Sequence, residues 1–264
     1  MKRAIFLLSF FCLAARLPLH AQDKPAAEKA RALHIAAGLL HSAERDRAYS
    51  PVLYSGALPS VMLGYSVEGP DKSEQVWAGF STGSLENRFG AQASGTTAGI
   101  INFTFYHKKK VPARGFHFGW SNNNRLSFRD FEGAANFSPR FGYHTSFGPA
   151  ARYRRTFGGK LSALSLEAVG HVQLIGFFLQ SGYVSDAPDG TLGGDAGFGG
   201  LLRSARLFVP GRAWNWGLWP RLTYTLSSGN ALSLMYRYDM AVLEDAHRSS
   251  ASRGYYLLTL TAKL

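Results

Sequence analysis

The sequence predicts an all-β protein, a transmembrane antiparallel up-and-down β-barrel of about ten strands behind a cleaved N-terminal signal peptide. Three observations predict it. The stretch Gly254–Leu264 alternates apolar residues at period two to the last residue. Ten stretches along the chain have about the length that a tilted spanning strand needs. The segments between them alternate short and long.

The N-terminus reads as an export signal. Lys2 and Arg3 precede the apolar run 4–15, and Pro18-Leu-His-Ala21 follows before Gln22. This is a charged head, an apolar run too short to span a bilayer, and a small residue at the cut. Cleavage is expected after Ala21. Residues 1–21 are then the signal peptide, 22–30 a short periplasmic segment and 31–264 the barrel. Cys12, the one cysteine, lies in the signal, so the mature chain is expected to have no thiol or disulfide chemistry. Loss of Lys2, Arg3 and Arg16 lowers the formal charge from +12 to +9. An exported protein with this surplus is expected to meet anionic lipid headgroups or lipopolysaccharide phosphates rather than nucleic acid. No segment after the signal approaches 18 consecutive apolar residues, which excludes a helical membrane protein but not a barrel.

The ten expected strands are 31–41, 57–68, 74–84, 97–108, 114–122, 145–157, 160–175, 212–226, 230–242 and 253–264. The second sets Val61, Leu63, Tyr65 and Val67 against Ser60, Met62, Gly64 and Ser66. The seventh sets Leu164, Leu166, Ala168, Val172 and Leu174 against Ser165, Glu167, His171 and Gln173. The eighth sets Trp216, Leu218, Leu222, Tyr224 and Leu226 against Asn215, Gly217, Arg221, Thr223 and Thr225. The ninth is the clearest, with Leu232, Leu234, Tyr236, Tyr238 and Met240 opposite Ala231, Ser233, Met235, Arg237 and Asp239. In the tenth, Tyr256, Leu258, Leu260, Ala262 and Leu264 share one face.

A soluble β-sandwich has the same period with its apolar side inward. The connections favour the barrel. Linkers 69–73, 109–113, 158–159 and 227–230 are short, whereas 42–56, 85–96, 123–144, 176–211 and 243–252 are long. Short turns at the periplasm and long loops outside produce this segregation. Lipid offers no hydrogen-bond partner, so strand one must meet strand ten. Trp120 and Trp216 are expected near the outer ends of strands five and eight, and Tyr224 near the inner end of strand eight. Arg152, Arg154, Glu167, His171, Arg221, Arg237 and Asp239 are expected to point into a narrow lumen. Two readings follow: a salt-bridged plug, or a selective path for a small anion.

The last strand resembles the C-terminal assembly signal of outer-membrane barrels, carried by Tyr256, Leu258, Leu260 and Leu264, with Leu264 where those signals end on Phe. The signal ending His-Ala-Gln and the segment Arg140-Phe-Gly-Tyr-His-Thr-Ser-Phe-Gly148 resemble outer-membrane barrels of the Bacteroidetes type, which implies a fold and no activity. His144-Thr-Ser146 resembles the His-x-Ser of outer-membrane phospholipases and lipid A deacylases, although Phe147 replaces their asparagine. At period two the pair shares a side and could act as base and nucleophile, oriented from Asn122–Asn124. Omptin proteases are also ten-stranded and use rim acids with a histidine. Asp130, Glu132, His144, Asp186, Asp189 and Asp195 lie in or beside the outer loops, at spacings that match no omptin motif.

Histidines 34, 41, 107, 117, 144, 171 and 247 are scattered without metal-ligand spacing. The glycine-rich segment 190–200 lacks the lysine of a phosphate loop. No metal or cofactor is expected. The expectation is a monomeric outer-membrane barrel of a Gram-negative bacterium, more structural, binding or accessory than enzymatic. A lipid hydrolase using His144 and Ser146, or a narrow solute channel, is the alternative. Expected partners are outer-membrane lipids, lipopolysaccharide and the barrel-assembly machinery. Deleting residues 255–264 should abolish membrane insertion, read by fractionation, because two open edges would face hydrocarbon. Normal insertion would contradict the role given to this strand.

Overall fold

The computed structural model describes residues 29–47, 50–107, 115–131, 140–180, 205–244 and 248–264. The signal segment 1–21 lies outside them, as does nearly all of 22–30. The described residues form β1 (Ala30–Asp46), β2 (Ser50–Glu68), β3 (Lys72–Asn87), β4 (Gln92–Tyr106), β5 (Gly115–Phe131), β6 (Arg140–Thr156), β7 (Leu164–Gln173), β8 (Ile175–Gln180), β9 (Arg206–Phe208), β10 (Ala213–Thr225), β11 (Ala231–Glu244) and β12 (Arg248–Lys263). One 3₁₀ turn, Gly159–Leu161, joins β6 to β7.

These elements make a closed antiparallel barrel of ten staves. β7 and β8 are one stave broken at Leu174, and both pair with β6. The Leu174 amide still donates to Phe147 O at 3.0 Å across the break. β9 extends β10, pairing with β8 as β10 pairs with β7. Each remaining stave pairs with its sequence neighbours, and β1 pairs with β12 from Ala32↔Lys263 to Asp46↔Ser249. That last pairing leaves neither first nor last strand with an open edge.

The alternation sorts side chains as the sequence implies. Val61, Leu63, Leu218, Leu222, Leu232, Leu234, Tyr256, Leu258 and Leu260 are exposed on the outer wall. Ser60, Met62, Glu167, His171, Asn215, Ser233, Met235, Arg237 and Asp239 are buried inside. The interior is less polar than the sequence implies. Leu40, Met62, Trp77, Ile101, Phe103, Phe105, Trp219, Met235, Tyr255 and Leu257 form one buried cluster within it. Trp77 fits because Gly64 faces it; a Cβ there would meet the indole ring at 2.7 Å.

The outer wall changes character along its length. Away from the termini, β1 presents Leu33, Ile35, Ala37 and Leu39, then His41, Ala43 and Arg45. β3 presents Val76, Ala78 and Phe80, then Thr82, Ser84 and Glu86. On β12, Ser250 and Ser252 precede Tyr256, Leu258 and Leu260. An apolar belt thus girdles the half of the barrel that carries the termini, and polar strands continue beyond it.

This corrects the expected long loops. Residues 42–46, 50–56, 85–87, 92–96, 123–131, 140–144, 176–180 and 248–252 are strand. Above the belt both faces can be polar, so alternation disappears from the sequence while the hydrogen-bonded ladder continues. Connection lengths therefore do not segregate as expected; 47–49 and 88–91 are as short as 69–71. Trp120 is corrected for the same reason. β5 runs on to Phe131, which leaves Trp120 in the half nearer the termini.

Leu234 is 64% exposed, between Leu222 of β10 and Leu258 of β12. Leu234→Arg should cost about 2–4 kcal/mol of folding free energy in lipid vesicles, and Thr82→Arg above the belt about 0–1 kcal/mol. Equal costs would show that the belt is misplaced.

Candidate functional site

The interior holds three ionic layers, stacked from the end with the termini to the loop end. In the first, Glu68 and Glu167 face Arg152, Arg154 and Arg221. Arg152 Nη1 donates to Glu68 Oε1 at 2.8 Å. Arg154 Nη2 bridges Glu68 Oε1 at 3.0 Å and Glu167 Oε2 at 2.8 Å. Arg221 Nη2 donates to Glu167 Oε1 at 2.6 Å. The Arg152 guanidinium also lies 4.9 Å over the Phe105 ring.

Asp239 centres the second layer. Its Oδ2 accepts from Arg125 Nη2 at 2.7 Å and from Arg237 Nε at 2.7 Å. Its Oδ1 accepts from Trp219 Nε1 at 3.0 Å and lies 3.6 Å from His171 Nε2. Gly217 makes room for that approach, because a Cβ there would collide with both His171 and Asp239. Arg237 is sandwiched, 4.1 Å from the Trp219 ring centroid and 4.7 Å from that of Tyr255.

Glu44 centres the third layer. It accepts from Arg253 Nη2 at 2.6 Å and from Ser42 Oγ at 2.9 Å, and it pairs with Arg129. Arg129 Nη1 lies 3.9 Å from Asp46 Oδ2.

All seven residues expected in the lumen, Arg152, Arg154, Glu167, His171, Arg221, Arg237 and Asp239, stand in the first two layers. Sequence reading missed Glu44, Glu68, Arg125, Arg129 and Arg253. Glu68 and Arg253 share the inward parity of their strands, a usable signal. Glu44, Arg125 and Arg129 fell in segments read as loops.

His144 and Ser146 both point inward, 5% and 1% exposed. They do not hydrogen-bond to each other. His144 Nε2 lies 3.5 Å from Asn215 Nδ2, and Ser146 Oγ donates to Asn123 O at 3.5 Å. Asn122 and Asn124 occupy the opposite, outer face of β5. There Tyr143 Oη donates to Asn124 Oδ1 at 3.4 Å, Asn124 Nδ2 to Asn122 Oδ1 at 2.5 Å, and Asn122 Nδ2 to Ser146 O at 3.2 Å. The expected orienting group is therefore on the other side of the wall from the histidine. With Asn102 opposite Asn122, these amides form a polar stripe in the outer wall beside the stacked Trp120 and Phe147 rings, 5.3 Å apart.

Of the acids considered for a protease, Asp130 is exposed on the outer face of β5, away from buried His144. Glu132, Asp186, Asp189 and Asp195 lie outside the described residues. Among the described residues no group of three or more His, Cys, Asp or Glu side chains could hold a metal ion.

No protein-family profile matches the sequence, and no curated protein matches it. The fold is that of solved outer-membrane barrels. The chain is similar to the outer membrane protease OmpT from Escherichia coli, at 7% identity and TM-score 0.53, over 92% of this chain and 99% of that one. It is also similar to Neisserial surface protein A, at 10% identity and TM-score 0.42, over 88% and 99% of the two chains. The translocator domain of the autotransporter NalP from Neisseria meningitidis matches at 7% identity and TM-score 0.39, over 100% and 96%.

Glu167 is the anion that most of the first layer shares. Glu167→Gln should cost about 3–5 kcal/mol, because it leaves buried guanidiniums uncompensated. Glu74→Gln at the exposed Lys72 pair should cost about 1 kcal/mol or less. Denaturant titration of both variants in the same detergent checks this. A Glu167→Gln loss no larger than that of Glu74→Gln would show that the layer contributes little.

Proposed function

We propose that this chain is an integral outer-membrane β-barrel of a Gram-negative bacterium, with a structural, binding or accessory role and its loop end toward the environment. The reading rests on one observation: the interior is filled from end to end. Arginine–carboxylate layers alternate with Trp77, Phe103, Phe105, Trp219 and Tyr255, and ten strands enclose too little space for both these side chains and a solute path. A cavity of about 40 Å³ at the loop end has room for a few waters or a small ion, not a channel.

The apolar belt supports membrane residence, since soluble proteins rarely expose so large an apolar surface. In this reading residues 1–21 direct export, 22–30 lie in the periplasm, and the terminal end faces inward. Lipids and lipopolysaccharide surround the belt, and the assembly machinery recognises β12. The barrel acts as a monomer. The hydrolase alternative loses its support because the wall separates His144 and Ser146 from acyl chains, and an imidazole with no orienting carboxylate is a poor base. The protease alternative loses its support because Asp130 and His144 open to different sides of the wall.

Purified protein in a planar bilayer is expected to leave the membrane as resistive as lipid alone. Discrete conductance steps that scale with protein added would overturn the closed-barrel reading and restore the channel.

A further inference from the structure

The loop end of the interior holds more positive charge than it neutralises. Arg125, Arg129, Arg237 and Arg253 meet Glu44, Asp46 and Asp239 there, so among the described residues one guanidinium is in excess. The hydrogen bonds show where that excess lies. Arg125 uses Nη2 on Asp239, and Arg253 uses Nη2 on Glu44. Arg125 Nη1 and Arg253 Nε are fully buried donors with no hydrogen-bond partner. Their side chains are only 4% and 3% exposed, so bulk water does not substitute. Native proteins rarely leave such donors unmet.

Both arginines line the same cavity, the one of about 40 Å³. Arg129 and His144 line it too. The carboxylates of this layer are not in the lining; Glu44 and Asp46 border a separate cavity with Tyr54 and Arg129. Three arginines and no carboxylate therefore line the space, beside the hydroxyls of Ser127, Tyr143, Ser249 and Ser250.

We propose that this cavity is a binding site for a small monovalent anion, a halide or a carboxylate no larger than formate. One negative charge balances the guanidinium in excess among the described residues. A cavity of about 40 Å³ suits a small ion. A neutral water would meet the donors but leave the charge unbalanced in a low-dielectric interior, where that imbalance is expensive. Site and closed barrel are compatible, because the second layer of Asp239, Arg237 and Trp219 lies beneath the cavity and blocks passage.

The test uses the full mature protein. Crystals grown in sodium bromide should show one anomalous peak within hydrogen-bond distance of Arg125 Nη1 and Arg253 Nε. In detergent, chloride, bromide or formate should raise Tm saturably relative to gluconate at equal ionic strength; formate acting alone would name the carboxylate as ligand, and both acting would name the shared charge. Arg253→Lys keeps a cation for Glu44 but removes the Nε donor, and should weaken the anion dependence at least tenfold. Arg154→Lys in the first layer should leave it unchanged. Ordered water in the cavity of crystals grown in bromide and of crystals grown in formate, or a Tm of the unmodified protein indifferent to halide and formate alike, would overturn the proposal without any variant having to fold.

Discussion

The pairing of β1 with β12 is the constraint on which the rest of the structure depends. A β-strand in hydrocarbon has no solvent to satisfy its free edge, so an open sheet cannot stand there. Fifteen matched positions along this one seam convert a ten-stave sheet into a cylinder. Closure then fixes everything else. One face of every strand must be apolar, the other must fill a narrow cylinder, and the residues that fill it must satisfy one another.

The interior meets that last demand in an unusual way for so small a space. A purely apolar filling would serve packing, and a purely polar one would serve hydration. Here Arg152 and Arg237 lie on aromatic rings and bond carboxylates, so these two guanidiniums are both packed and paired. Planar, always-charged guanidinium suits this better than ammonium, because its edge serves the carboxylate while its face lies on Trp219, Tyr255 or Phe105. Such a network specifies one arrangement, since loss of Glu167, Asp239 or Glu44 strands at least two cations. It also leaves the barrel little freedom to open.

The belt was legible in the sequence because lipid on one side and packed interior on the other force strict alternation; Leu232 through Met240 is the plainest instance. The strand extensions were not, because above the belt residues such as Thr82, Ser84 and Glu86 meet water on the outer face and lose the apolar signal. That single gap hid Glu44 and Arg129 of the third ionic layer and Arg125 of the second. It also made Asn122–Asn124 look like a strand end able to reach His144. His144 and Ser146 share the parity of Arg152 and Arg154, and all four point inward. The aromatic share of the interior was hidden for another reason: Trp77 and Phe103 at inward positions look like lipid-facing residues until the register places them.

The closed cylinder can be probed at its seam. Ala37 of β1 lies opposite Leu258 of β12, both on the outer wall. With Cys12 replaced by serine, the pair Ala37→Cys and Leu258→Cys should form an intramolecular crosslink with a short thiol reagent in isolated outer membranes, changing gel mobility without doubling mass. The pair Ala37→Cys and Ser250→Cys, displaced along the same seam, should not. Absence of the first crosslink, or its appearance only between two chains, would contradict the closed barrel.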